Sequence, residues 1–134
     1  MMKYIQQIIV IVLAGLISCS NPGVNYLPAE NGLDAGRLFL EACKSGDFNQ
    51  AEFYLLKDEQ NILHLKKAES LFREKDKEGR QVIKSSSINI KSVTDINDSS
   101  VVMEYSYSSD TMPKQLLIKQ HHNKWQVDYK KTFQ

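Results

Sequence analysis

The sequence predicts an α+β fold in which N-terminal helices pack on a curved antiparallel sheet of about four strands. Two observations carry that expectation. Apolar residues recur every three to four positions from Leu38 to Phe72, and from Val82 onward the spacing falls to two. The links between the alternating segments are short and turn-like, which makes sequential strands antiparallel neighbours.

Ahead of that domain the 134-residue chain opens with Lys3, an unbroken apolar run from Ile8 to Ile17, and Ser18-Cys19. Such a run is too short to cross a bilayer, which takes about 20 residues, but it suits the central region of a secretory signal. Leu16-Ile17-Ser18-Cys19 resembles the lipobox of bacterial lipoprotein precursors. That resemblance implies cleavage after residue 18, lipid attachment at Cys19, and several acyl chains, palmitate among them, that anchor stably where one chain would be marginal. Ser20 in place of Asp implies the outer membrane, on its periplasmic face. The expected division is a signal peptide over 1–18, the lipidated cysteine and a flexible tether over 19–33, and one α+β domain over 34–134. The tether rests on Asn-Pro-Gly, Asn-Tyr-Leu-Pro and Asn-Gly, which are turn formers without hydrophobic period.

Asp34 is expected to cap the first helix, with Leu33 packing onto Leu38, and Gly46 to end it in a left-handed conformation. Asp47 suits the cap of a second helix carrying Phe48, Ala51, Tyr54 and Leu55. A third begins near Asp58 and Glu59, carries Ile62, Leu65, Ala68, Leu71 and Phe72, and is expected to stop at Gly79. The strands then centre on Ile88 and Ile90, on Val101 to Tyr107, on Leu116 and Ile118, and on Trp125 to Tyr129.

The Leu38 to Ala51 stretch, Leu-Phe-Leu-Glu-Ala-Cys-Lys-Ser-Gly-Asp-Phe-Asn-Gln-Ala, and the closing Lys-Trp-Gln-Val-Asp-Tyr are similar to the nuclear-transport-factor-2-like or cystatin-like superfamily, specifically its small bacterial lipoproteins of unknown function. The resemblance runs over about residues 34 to 131. It implies a sheet curved around a long helix into a cone that often holds a pocket. Isomerases and dehydratases of that superfamily use an inward carboxylate or histidine beside tyrosine hydroxyls. Alternation tests this chain for that equipment. If Val101, Met103, Tyr105 and Tyr107 face in, Glu104 faces out; if Trp125, Val127 and Tyr129 face in, Asp128 faces out. The inward faces then carry no acid, and proton abstraction needs a base. A one-residue bulge would reverse part of this assignment.

Charge and motif readings narrow the classes further. After removal of residues 1–18, the chain has 16 basic and 16 acidic side chains, a balance that argues against a nucleic-acid partner. Lys66-Lys67 and Lys130-Lys131 read as solvated surface. With Cys19 acylated, Cys43 has no partner for a disulfide within the chain and reads as a small buried hydrophobe. His121-His122 falls at a turn, where adjacent side chains diverge and no third ligand is near in sequence, and His64 reads as a surface or packing residue. No Gly-rich phosphate loop, His-Glu-x-x-His, Cys-x-x-Cys or Gly-x-Ser-x-Gly occurs. No catalytic residue, metal site or cofactor is therefore expected. Tyr105, Tyr107, Trp125 and Tyr129 are the candidate pocket-lining residues. The expected function is that of a lipid-anchored, non-catalytic envelope module binding a small ligand or another envelope protein. An isomerase or hydratase of the same fold, and a structural or inhibitory interaction domain, are the alternatives.

Overall fold

The structure, a computed structural model, describes residues 24–131. The leader over 1–18, Cys19 and the beginning of the tether lie outside the described residues. Four helices come first: α1 (Gly32–Ser45), α2 (Phe48–Phe53), α3 (Glu59–Glu74) and α4 (Lys77–Ser85). A meander follows, β1 (Ile88–Asn97), β2 (Ser100–Tyr107), β3 (Asp110–His121) and β4 (Lys124–Asp128), antiparallel throughout and ordered β1-β2-β3-β4. A 3-10 turn over Tyr129–Lys131 closes the domain.

Helix α1 starts earlier than Asp34. Asn31 is its cap, its side chain accepting from Asp34 N at 2.9 Å, while Asp34 sits in the first turn and pairs with Arg37. The early start puts Gly32 and Gly36 on the buried face. A Cβ on Gly32 would stand 2.6 Å from Val101 Cγ2, and one on Gly36 2.8 Å from Met103 Cε, so both glycines are there because α1 lies hard against the sheet. Ala35, Phe39 and Ala42 complete that face, against Met103, Leu116, Ile118 and Val127 in one apolar core. Gly46 ends the helix at φ 82°, where a Cβ would be strained, and Asp47 N donates to Ala42 O at 3.0 Å in the expected closing pattern.

Asp47 caps α2 as its spacing predicts. The chain then runs beside the outer edge of β4, with Leu56 N donating to Val127 O and Val127 N to Tyr54 O, each at 2.8 Å. That pairing covers part of an edge that would otherwise be open to another strand. Ahead of α1, Tyr26 stacks on Phe53 with ring centroids 5.5 Å apart, and Tyr54 Oη donates to Leu27 O at 2.7 Å.

Helix α3 ends at Glu74, five residues before Gly79, because a second cap intervenes: Asp76 accepts from Gly79 N at 2.7 Å and begins α4. Arg80 holds the kink, donating to Lys75 O at 2.6 Å and Arg73 O at 3.2 Å. Val82 and Ile83, which begin the strand region by period, are thus helical. Tyr129 also changes element, since β4 stops at Asp128. Irregular register falls between Tyr105 and Tyr107 in the β2–β3 pairing, yet both rings stay on the inner side, 5.7 Å apart and edge to face.

Candidate ligand-binding cleft

Between α1, α3 and the end of β2 lies a cleft of about 650 Å³, open to solvent. Its floor follows from packing. Phe39 and Leu40, with Cys43 one turn further along, come from α1, and Tyr105 and Tyr107 project from β2. The 3-10 turn swings Tyr129 into the wall, its ring 5.2 Å from Phe39 and 6.3 Å from His64. From α3 come His64, Lys67, Ala68 and Leu71, one face at helical spacing. Lys114 and Lys130 complete the rim.

The charged groups here are of one sign. Lining residues include three lysines and a histidine, and no carboxylate. Lys114 Nζ lies 2.6 Å from Asp110 and 5.9 Å above the Tyr107 ring, and Lys130 pairs with Asp58 and Asp128. Among the described residues Lys67 has no ion-pair partner. No hydrogen bond within the described residues engages the hydroxyls of Tyr105, Tyr107 or Tyr129; burial, first among the causes, raises all three, Tyr129 to about 12. At neutral pH they are donors in search of an acceptor. Tyr105 is only 3 % exposed as a residue, and what remains exposed includes its hydroxyl, which meets the solvent of the cleft. Cys43 touches the cleft, but the protein around its sulfur pushes the thiol up to about 12, which fits a packing residue and no nucleophile.

Of the four expected pocket-lining aromatics, then, Tyr105, Tyr107 and Tyr129 meet in this cleft. Trp125 does not join them. It stands at the start of α1 beside Gly32 and lines two other hollows, of about 620 and 200 Å³. Lys67 and His64 converge on the tyrosines through the 64-67-68-71 spacing on α3, a stripe of mixed polarity that a reading by hydrophobicity alone passes over.

Asp128 is a correction. It leaves the face carrying Val127, as alternation requires, yet is 1 % exposed instead of solvated. Asn61 Nδ2 donates to its Oδ1 at 3.2 Å, Lys130 Nζ lies 3.1 Å from the same oxygen, and Lys119 Nζ lies 3.2 Å from Oδ2. The Lys119 contact pairs charge without hydrogen-bond alignment, leaving Oδ2 buried with no bonded donor. Burial is the largest influence on this carboxyl and raises it, but Lys130, Asn61 and Lys119 together outweigh burial and hold it below the usual range. Asn61, fully buried, also donates to Leu56 O at 2.9 Å and accepts from Lys130 N at 2.7 Å. Lys130 is accordingly part of a buried knot and not the solvated residue its neighbours in sequence imply.

Catalytic and metal arrangements are limited in the same terms. His64 is exposed at the cleft mouth, and Asp128 is committed to the knot. His121 and His122 do not diverge as expected of adjacent residues: their rings meet edge to face at 4.1 Å on the β3–β4 turn, where His122 and Asn123 take φ of 49° and 59°. Among the described residues no three His, Cys, Asp or Glu side chains are grouped to hold a metal ion, and no helix is long and apolar enough to cross a membrane.

No family model and no curated protein matches the chain. Among solved structures it is similar to an NTF-2 like protein of unknown function from Shewanella oneidensis MR-1, with a TM-score of 0.51 and 12 % identity over 72 % of this chain and 91 % of that one. At that identity the likeness shows the fold alone, and the fold is NTF-2-like: helices followed by a four-strand antiparallel sheet in an α+β arrangement.

Proposed function

We propose that this chain is a lipid-anchored, non-catalytic module of the bacterial cell envelope, held at the periplasmic face of the outer membrane by Cys19, and that its α1–α3 cleft binds a small ligand. The observation that carries the binding half is Tyr105: a nearly buried hydroxyl-bearing side chain without a partner, on the wall of a cleft of about 650 Å³. That volume falls within the usual range of small-molecule sites, roughly 300–1,000 Å³. The anchoring half rests on Leu16-Ile17-Ser18-Cys19 following an apolar leader.

Each half has its own experiment. Cells expressing the wild type and Cys19→Ala are fed a radiolabelled fatty acid; label and outer-membrane fractionation are expected for the wild type alone, and label in the variant overturns the anchor. For the cleft, Ala68→Trp places an indole in the lining. Small molecules co-purifying with the wild type and missing from this variant support the reading, and an identical set in both contradicts it.

One observation favours a second reading, an isomerase or hydratase: His64 borders Tyr129 at the cleft mouth, the one imidazole there. Such chemistry would run through His64, and a His64→Gln variant with unchanged turnover of a discovered substrate would remove it.

A further inference from the structure

The chemistry of the cleft lining goes further than a generic ligand. Its charged side chains are all basic, and no carboxylate balances them from within the lining. Lys114 and Lys130 are partnered outside the cleft, by Asp110 and by Asp58 with Asp128. Lys67 has no such partner among the described residues, and it sits one turn from His64 on the same face of α3. The tyrosine hydroxyls that line the same cleft have protons to donate and no acceptor among the described residues. Phe39, Leu71 and the three rings supply apolar surface between these polar groups.

We propose that the cleft takes an organic anion, its apolar or aromatic body seated against Phe39, Leu71 and the tyrosine rings, and its acidic group held by Lys67 together with the hydroxyl of Tyr105. This rests on the binding reading above and names the ligand class for it. A carboxylate or sulfonate accepts from an ammonium and a phenol at once, and charge-assisted bonds of this kind are stronger than neutral ones. A cationic ligand would meet like charge from the three lining lysines. A neutral one would leave Lys67 unmatched.

The test compares two probes of nearly the same shape, 2-naphthoate and 2-naphthamide, titrated calorimetrically into the full lipidated chain in nanodiscs, with empty nanodiscs as the blank. Naphthoate is expected to bind about tenfold more tightly than the amide. Lys67→Met, an exposed position where the stem is retained, is expected to erase that difference by weakening naphthoate alone, and Tyr105→Phe to weaken naphthoate severalfold. Ala68→Trp is expected to abolish both, with circular dichroism reporting that it is folded. Equal affinity for the two probes, or a preference for naphthoate that survives Lys67→Met, overturns the anion class and leaves the binding reading standing. Failure of both probes to bind overturns the two together.

Discussion

Lys130 borders two regions that treat polar groups in opposite ways. On one side, the knot around Asn61 and Asp128 engages nearly all of its donors and acceptors: backbone from the α2–α3 link, the first turn of α3, and the end of β4 are tied through two buried side chains. On the other side, the cleft presents tyrosine hydroxyls and Lys67 with no bonding partner among the described residues. Both regions contain buried side chains, Asn61 and Asp128 in the one and Tyr105 in the other, so burial alone does not separate structure from function. Partnership does. A bonded network holds elements together, whereas donors left facing an open cleft are free to bond whatever enters it.

The largest expected effect breaks the knot. Asn61→Ala removes the donor to Leu56 O and Asp128 and the acceptor of Lys130 N, leaving buried groups unmatched, and should cost about 3 kcal/mol in urea unfolding. A loss below about 0.5 kcal/mol would mean the contacts are incidental.

Next in size is the pH response of the knot. Asp128 and Asp58 are held below their ordinary value of 3.8, Asp128 against its own burial and Asp58 first by its bond to Lys130. A depressed carboxyl contributes stability that is present above the unfolded value and lost as pH falls through the folded one. Stability should therefore decline below about pH 4, and Asp128→Asn should flatten that limb while lowering stability at neutral pH.

The cleft responds at the other end of the scale. Burial raises Cys43 from 9.0 to about 12 and Tyr129 from 10.0 to about 12. A raised thiol or phenol contributes stability that is complete below the unfolded value and disappears as pH rises through the folded one. Between pH 9 and 12 the unfolded chain releases these protons first, so stability should fall across that window. Native Cys43 should correspondingly resist iodoacetamide at pH 8 and react once urea unfolds the chain.

Much of this architecture is legible in the sequence because it is set by local chemistry. Asp47 and Asp58 cap helices, Gly46 supplies the left-handed stop, and alternation places Val101, Met103 and Tyr105 on the inner face. What is not legible depends on long-range closure. Val82 and Ile83 look like strand residues, and only the Asp76 cap with the Arg80 clamp makes them helical. Gly32 falls in the expected tether, and neither it nor Gly36 is legible as a buried helix position until the sheet arrives beneath them. Asp128 alternates outward correctly, but its burial depends on Asn61, 67 positions away in the chain. The same applies to the cleft: the tyrosines stand out by their pattern, while Lys67 and His64 join them only through the docking of α3.

The smallest expected effect is the most direct test of the whole account. The urea midpoint of Tyr105→Phe is measured beside the wild type, with and without saturating 2-naphthoate. Without the probe the two midpoints should agree to within about 0.5 kcal/mol, since the hydroxyl removed has no partner among the described residues and meets solvent in the cleft. With it, the wild type should gain stability by mass action and the variant should gain less. A variant already destabilised without the probe would contradict the account, because Tyr105 would then belong to the fold and not to a ligand.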